Sequence, residues 1–490
     1  MKNLRFYAPE QVNRCLLCAD APCSKACKKM DTARIIRALK FGNDEGAATL
    51  LPEDLPCIKC TLKGCEKACV RNKIDKPVEI ETIMEYVSTI PLTNKSPLPS
   101  LEIEFCGIHC ENPFILGSSV ISSSYEMCAK ALEAGWGGVC TKTITNLDIN
   151  EVSPRFDATK DDNGNFVGFK NLEQLSQNSF EYDLDWIKRL KQTYPTKLII
   201  VSFMCSNEDD WGKIAKQIED IGADIIECNF SCPQMVGRNL GCEIGSNEDL
   251  VERYTRSVTQ NVTIPVLTKL TPNIDSPNRF VEASMRGGAT GISAINTIKS
   301  LISIPYIDHS GNDIDGKTAI SGYSGYAVKP IALRFINETI DALENISDKD
   351  VVVSGVGGVK KWNDALDFLL LGARNVQVCT AVMQYGYRII DDLVNGLQHY
   401  MLRNQISALD DLVGKARQNV VSHRFLTRGE IKLPVFDLNK CIGCERCYIS
   451  CFDGGHQALS IGAARKPILN LSKCTGCHLC LLVCPVGAIS

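Results

Sequence analysis

Sixteen of the chain's 25 cysteines fall in two groups, eight within residues 15–69 and eight within 441–484. The second group is two runs, Cys441, Cys444, Cys447, Cys451 and then Cys474, Cys477, Cys480, Cys484 ahead of Pro485. Three closely spaced thiolates with a fourth on the next turn is the spacing by which bacterial two-cluster ferredoxins hold [4Fe-4S] cubanes. The fourth cysteine of each run crosses to the other cube. One cluster is therefore assigned to Cys441, Cys444, Cys447 and Cys484, and its neighbour to Cys474, Cys477, Cys480 and Cys451. Zinc also takes four thiolates, but zinc ribbons separate two CxxC pairs and do not chain four cysteines in one run.

The first group repeats itself. CLLCADAPCSKAC carries Cys15, Cys18, Cys23 and Cys27, and CIKCTLKGCEKAC carries Cys57, Cys60, Cys65 and Cys69 at the same spacing. Disulfides are the competing use. The chain opens MKNLRFYAPE, without the apolar stretch of a secretory signal, so a reducing, cytoplasmic setting is expected, in which such cysteines are metal ligands.

Redox wiring at both ends requires a reaction centre between them, and the middle of the chain reads as one. Eight short, near-continuously apolar runs lie at 113–119, 137–143, 197–203, 223–230, 264–270, 290–296, 350–355 and 375–381, each followed by helix-like sequence such as YEMCAKALEAG or DWGKIAKQIEDIG. Buried parallel strands with crossover helices have this pattern. The expected fold is α/β: a (β/α)8 TIM barrel at 96–405, preceded by a helical iron–sulfur domain at 1–95. A linker at 406–433 and a ferredoxin-like two-cluster domain at 434–490 follow. The 490 residues, 44% of them apolar, are ample for three domains. No apolar run approaches the roughly 20 residues of a membrane span. Net charge is −4, from 53 basic and 57 acidic residues well mixed, so neither nucleic acid nor an anionic membrane is expected as a partner.

In such a barrel function collects at the C-terminal ends of the strands. Those ends carry Ser118, Lys142 and Thr143, Asn229 with Ser231 and Cys232, Lys269, Asn296 and Thr297, Gly357 and Gly358, and Cys379 and Thr380. Lysines closing two buried strands need an acceptor-rich partner. The SGVGGV run at 354–359, with Cys379 and Thr380 after the last strand, suits a phosphate. No GxGxxG follows a strand, which argues against a Rossmann site for nicotinamide or FAD. Iron–sulfur clusters pass single electrons while a carbon–carbon bond takes two, and a flavin converts between them. The barrel is therefore expected to hold FMN.

Along RCLLCADAPC, EAGWGGVCTKT, EVSPR, ECNFSCP, KLTPN, INTI, SGYSGYAVKPIALR, QVCTA and the ferredoxin runs, the chain resembles dihydropyrimidine dehydrogenase without its FAD and NADPH part. The barrel alone also resembles dihydroorotate dehydrogenase. The resemblance implies FMN contacts from Ser118, Lys142, Thr143, Lys269, Gly325, Gly357, Gly358, Cys379 and Thr380. It implies that Asn171, Asn229, Ser231, Asn296 and Thr297 hold a pyrimidine, with Glu173 beside them. Amides suit a uracil edge, on which N–H and C=O alternate. Cys232 is expected to give the proton at C5 while reduced FMN gives hydride to C6, with Cys242 the second candidate. A carboxylate at Glu173 disfavours a carboxylated substrate, so uracil and thymine, or their dihydro forms, are expected ahead of orotate.

In the family the first N-terminal cluster takes Cys15, Cys18, Cys23 and Cys69, and the second takes Cys27, Cys60, Cys65 and a glutamine. Here Met84 or Glu85 stands at the glutamine's place. Glu85 is the expected fourth ligand, with Cys57 as the all-thiolate alternative. Four [4Fe-4S] clusters and one FMN follow. Electrons are expected from an external donor, a ferredoxin or a separate FAD/NAD(P)H flavoprotein subunit, in a homodimer. The alternatives are an iron–sulfur-linked dihydroorotate dehydrogenase and a non-catalytic electron-transfer subunit.

Overall fold

In a computed structural model the chain is described over residues 4–92, 96–235, 240–302, 304, 316–346 and 351–490. It divides into two units, Met1–Gln418 and Asn419–Ser490. All eight apolar runs are strands: β1 (Phe114–Leu116), β2 (Gly138–Cys140), β3 (Leu198–Met204), β4 (Ile225–Asn229), β5 (Val266–Lys269), β6 (Gly291–Ala294), β7 (Val352–Val356) and β8 (Asn375–Val378). Each pairs in parallel with its neighbours in sequence, and β8 returns to β1, so the sheet closes as a barrel. The continuous apolar character has its cause in two-sided burial; all seven residues of β3 are buried.

The crossover helices are α1 (Tyr125–Glu133), α2 (Phe180–Thr193), α3 (Glu208–Asp220), α4 (Glu248–Thr259), α5 (Asn278–Arg286), α6 (Lys329–Ile346), α7 (Trp362–Leu371) and α8 (Ile389–Arg403). In α3 the Asn207 side chain caps the N-terminus by accepting the Asp210 N–H at 3.0 Å, and three acids fill the first turn. Trp211, Ile214 and Ile218 of α3 face the barrel, where Trp211 packs between Phe203 and Phe230 at 4.8 and 5.1 Å.

One layer is absent from the sequence reading. Insertions after β2 and β6 form a four-stranded antiparallel sheet in the order Ile298–Ser300, Ser321–Ser324, Phe166–Asn171, Phe156–Lys160. Its Phe156, Phe166 and Phe169 rings pack together. Because both insertions leave the C-terminal ends of strands, this sheet stands at the barrel mouth and carries Asn171 there.

The N-terminal region is helical, with Leu4–Arg14, Pro22–Ala26, Thr32–Lys40, Asp44–Thr49, Gly64–Lys67 and Ile80–Ser88 around a separate core that includes Ile35, Ile36, Ile83, Met84 and Val87. Arg37 pairs with Asp392 of α8, and Phe41 meets Tyr385 edge-on at 5.1 Å. Residues 406–433 hold three short 3-10 turns, and the first anchors Leu409 and Leu412 in the barrel core. In the second unit the hairpin strands Leu459–Ile461 and Pro467–Leu469 accompany helices Arg446–Gly454 and Leu479–Leu482. Among the described residues no helix is long and apolar enough to cross a membrane.

Candidate functional site

The pocket at the barrel mouth is lined by every sequence-predicted flavin and pyrimidine contact save one, together with Cys232. The exception, Ser231, is fully buried one step behind: its N–H and Oγ both reach Asn229 Oδ1 at 3.2 Å, and its Oγ accepts from Asn296 Nδ2 at 2.8 Å. Asn229 in turn donates to Thr143 Oγ1 at 2.8 Å, and Thr143 is shared with Ser202 at 3.0 Å. The amides from β4 and the loop after β6 are thereby fixed in orientation by strand-end hydroxyls.

Two ion pairs set the electrostatics. Lys142 Nζ lies 2.8 Å from Glu173 Oε1, with Arg155 a further 1.0 Å away at 3.8 Å; Lys142 and Glu173 are both nearly fully buried. Lys269 Nζ lies 3.1 Å from Glu227 Oε1 inside the barrel, and Gln377 donates to the other Glu227 oxygen at 3.1 Å. Burial alone would raise the Glu227 carboxyl, but Lys269 and the Gln377 hydrogen bond outweigh it and hold it below the usual carboxylate range. Burial would lower Lys269, and Glu227 more than reverses that. Both groups are ionised. Glu227 and Gln377 escaped the sequence reading because each sits singly within an apolar run and its partner is on another strand.

Cys232 is buried, and burial pushes its thiol up to about 11, with the Gln234 and Met235 backbone N–H groups pulling the other way. Its Sγ is 3.7 Å from Gln234 Oε1, and Gln234 Nε2 donates to the Asn171 carbonyl at 2.6 Å. Gln234, unmarked in the sequence, thus ties the thiol to the mouth sheet. Cys242 is half-buried and close enough to act electrostatically on Cys232.

The cysteines gather in sets. Cys441, Cys444, Cys447 and Cys484 line one cavity of the second unit, and Cys451, Cys474, Cys477 and Cys480 line another. Backbone N–H groups of Gly443, Ala458 and Ala488 lie 3.4, 3.3 and 3.3 Å from the sulfurs of Cys441, Cys451 and Cys484. In the N-terminal region Cys15, Cys18, Cys23 and Cys69 line a cavity of about 340 Å³ closed on its far side by α8. Arg388 donates to the carbonyls of Leu17, Cys18 and Ala19 there. Among the described residues no three His, Cys, Asp or Glu side chains close on a single ion. Cys27, Cys57, Cys60 and Cys65 form the remaining set of electrostatic neighbours, whereas Glu85 is exposed on helix Ile80–Ser88.

Residues 100–401, the whole of this barrel, match the model of the dihydroorotate dehydrogenase family. The chain belongs to that family. Residues 4–96 match the dihydropyrimidine dehydrogenase domain II, 4Fe-4S cluster, and residues 435–490 the 4Fe-4S dicluster domain, so this member is dihydropyrimidine dehydrogenase-like. The NAD-dependent dihydropyrimidine dehydrogenase subunit PreA of Escherichia coli K12 is 50% identical over 360 residues, 73% of this chain and 87% of that protein. The chloroplastic dihydropyrimidine dehydrogenase (NADP(+)) of Arabidopsis thaliana is 33% identical over 67% of this chain and 80% of its own length. The catalytic subunit of dihydroorotate dehydrogenase B (NAD(+)) from Pyrococcus horikoshii is 33% identical over 64% and 97%. Membership makes the chain an oxidoreductase.

The mouth of this dihydroorotate dehydrogenase-family barrel fits FMN on its own features. Gln377 Oε1 is buried on the pocket wall without a partner among the described residues. Gly357 and Gly358 take φ of +130° and +80°, and a Cβ on Gly358 would stand 2.7 Å from the Lys329 backbone. That stretch can only be glycine, which keeps its backbone N–H groups clear for a phosphate.

Proposed function

We propose that the chain is a pyrimidine-base reductase of the dihydropyrimidine dehydrogenase type, with Cys232 as the acid at C5 of uracil or thymine. The observation carrying this reading is that Asn171, Asn229, Asn296, Thr297 and Glu173 share one pocket wall with Cys232. FMN held there would supply hydride for C6 and the conversion between electron pairs and single electrons. Ser118, Lys142, Thr143, Lys269, Gly325, Gly357, Gly358, Cys379 and Thr380 would hold it. Asparagine amides offer both donor and acceptor to the pyrimidine edge, and cross-links to Thr143 and Ser231 fix the orientation of Asn229 and Asn296. Cys232, protonated at neutral pH, releases its proton to C5 and recovers one from solvent.

A neutral substrate suits this wall. The Lys142 ammonium is already matched by Glu173 and is not free for a substrate carboxylate. One observation favours the second reading, an iron–sulfur-linked dihydroorotate dehydrogenase: Arg155, a third exposed, stands beside Glu173 and could turn to such a carboxylate.

Four [4Fe-4S] clusters, two at each end, would relay electrons from an external ferredoxin or FAD/NAD(P)H flavoprotein subunit; that the E. coli relative is named as a subunit of an NAD-dependent enzyme supports this. A homodimer is part of the same reading. The test is anaerobic purification with iron, sulfide and flavin counted, then reduction of uracil, thymine and orotate side by side. About sixteen irons, one FMN and turnover of uracil or thymine are expected. Turnover of orotate alone selects the second reading.

A further inference from the structure

We propose that the second N-terminal cubane is held by four thiolates, with Cys57 joining Cys27, Cys60 and Cys65. This rests on the four-cluster reading above. The two N-terminal runs have one spacing, and the first cavity takes three cysteines of its own run plus the last of the other, Cys69. The same exchange run the other way leaves Cys57, Cys60 and Cys65 with Cys27, the last of the first run. It is the crossing seen in the second unit, where Cys484 lines the cavity of the 441 run and Cys451 that of the 474 run.

The packing favours it. Helix Pro22–Ala26 lies against Gly64–Lys67 so closely that a Cβ on Gly64 would be 3.5 Å from the Ala26 carbonyl. This sets Cys27 and Cys65, the next residue on each segment, side by side. Cys57 is the second residue of the turn Pro56–Lys59, its carbonyl accepting the Cys60 N–H at 3.1 Å, and its buried thiol has Cys27 and Cys60 as electrostatic neighbours ahead of Glu81 and Glu66.

The oxygen donors nearby are otherwise placed. Glu81 is paired with Lys63 at 2.6 Å, and Glu66 Oε1 accepts the Glu81 N–H at 3.0 Å. Helix Ile80–Ser88 turns Ile80, Ile83, Met84 and Val87 inward, which leaves Glu85 on the exposed side. Met84 is fully buried in the local core with Cys57. Four thiolates lose four protons on binding the cluster and give it a more negative shell than an amide would, which lowers its potential.

The test uses the anaerobic holoprotein, with Cys57→Ala, Glu85→Ala and, for reference, Cys27→Ala. Expected are about sixteen irons in the wild type, loss of about four in Cys57→Ala and Cys27→Ala alike, and full iron in Glu85→Ala. The wild-type Mössbauer spectrum is expected to lack a distinct oxygen-ligated iron. Full iron with unchanged EPR in Cys57→Ala, or loss of about four irons in Glu85→Ala, overturns the assignment. If Cys57→Ala does not fold, the wild-type spectrum decides, and an oxygen-ligated iron in it rejects Cys57. Wild-type iron of about twelve or fewer removes the four-cluster reading and this assignment with it.

Discussion

The barrel mouth and the N-terminal cysteine region assemble their chemistry in opposite ways. At the mouth the two buried strand-end lysines already have counterparts, Lys142 with Glu173 and Lys269 with Glu227, and the Asn229 and Asn296 amides are held by hydroxyls. The supporting strands are buried on both faces. In the N-terminal region the thiols surround cavities, carried on helices of four to eleven residues and loops between them. One site has its asparagine amides hydrogen-bonded and its two buried lysines paired before any ligand arrives, and leaves Gln377 Oε1 open to one. The other gathers thiols around a cavity, and metal binding at a site of that kind is coupled to folding.

The sharpest way to test the first half of that contrast is Cys232→Ala. A preformed pocket loses one proton donor and nothing else, so reductive turnover falls by about 10²–10⁴ while flavin and iron contents stay at wild-type levels. Stopped-flow reduction with flavin absorbance as the second readout checks both. Loss of flavin together with activity would mean that the thiol supports the pocket and does not serve as its acid.

Lys269→Met comes next in size. It strands the Glu227 carboxylate at the centre of the barrel with only the neutral donors Gln377, Ser293 and Cys140 to answer it, at a cost of about 3–5 kcal/mol. Chemical denaturation followed by barrel tryptophan fluorescence measures it. Lys269→Met with Glu227→Gln should recover most of the loss, because the double variant buries no charge.

The second half of the contrast is addressed by iron removal. Chelation under reducing conditions should raise the protease sensitivity of residues 4–96 by about tenfold or more and leave the barrel's fragments intact. Equal sensitivity of both regions would break the comparison.

How far the sequence exposes these features depends on whether the physics is local. The eight barrel strands were legible because two-sided burial writes itself into each run without reference to the others, as in KLIIVSF. The cysteine sets of the second unit were legible because a cubane fixes ligand spacing along the chain. The sheet over the mouth was not. Its strands FDATK, IKS and SGYS are short and mostly half-exposed, and its two hairpins join only where SGYS pairs with Phe166–Asn171 some 150 residues away, so no periodicity announces them. Nor could the Lys269–Glu227 pair be read, since a lone acid in ADIIECNF gains its meaning only from the neighbouring strand. The N-terminal fourth ligand lies between these cases: the spacing marks eight equivalent thiols, and only packing shows that Glu85 faces outward.

The smallest expected effect concerns pH, and it returns to the preformed mouth. A donor thiol is competent while protonated, hence below its pKa, and a thiolate is the competent form when the same residue takes a proton in the oxidising direction. An ordinary thiol titrates near 8.5, which would halve the reductive rate in that region. Burial pushes Cys232 up to about 11, against the pull of two backbone N–H groups. The reductive rate should therefore change by less than about twofold between roughly pH 6 and 9 and decline only as the thiol ionises above that. Oxidation of the dihydro substrate should rise with pH across the same interval, because the thiolate fraction grows about tenfold per unit below the pKa. A reductive profile that breaks near 8.5 would show that the bound substrate and flavin open the pocket to water, and the mouth would then be less complete beforehand than its hydrogen bonds indicate.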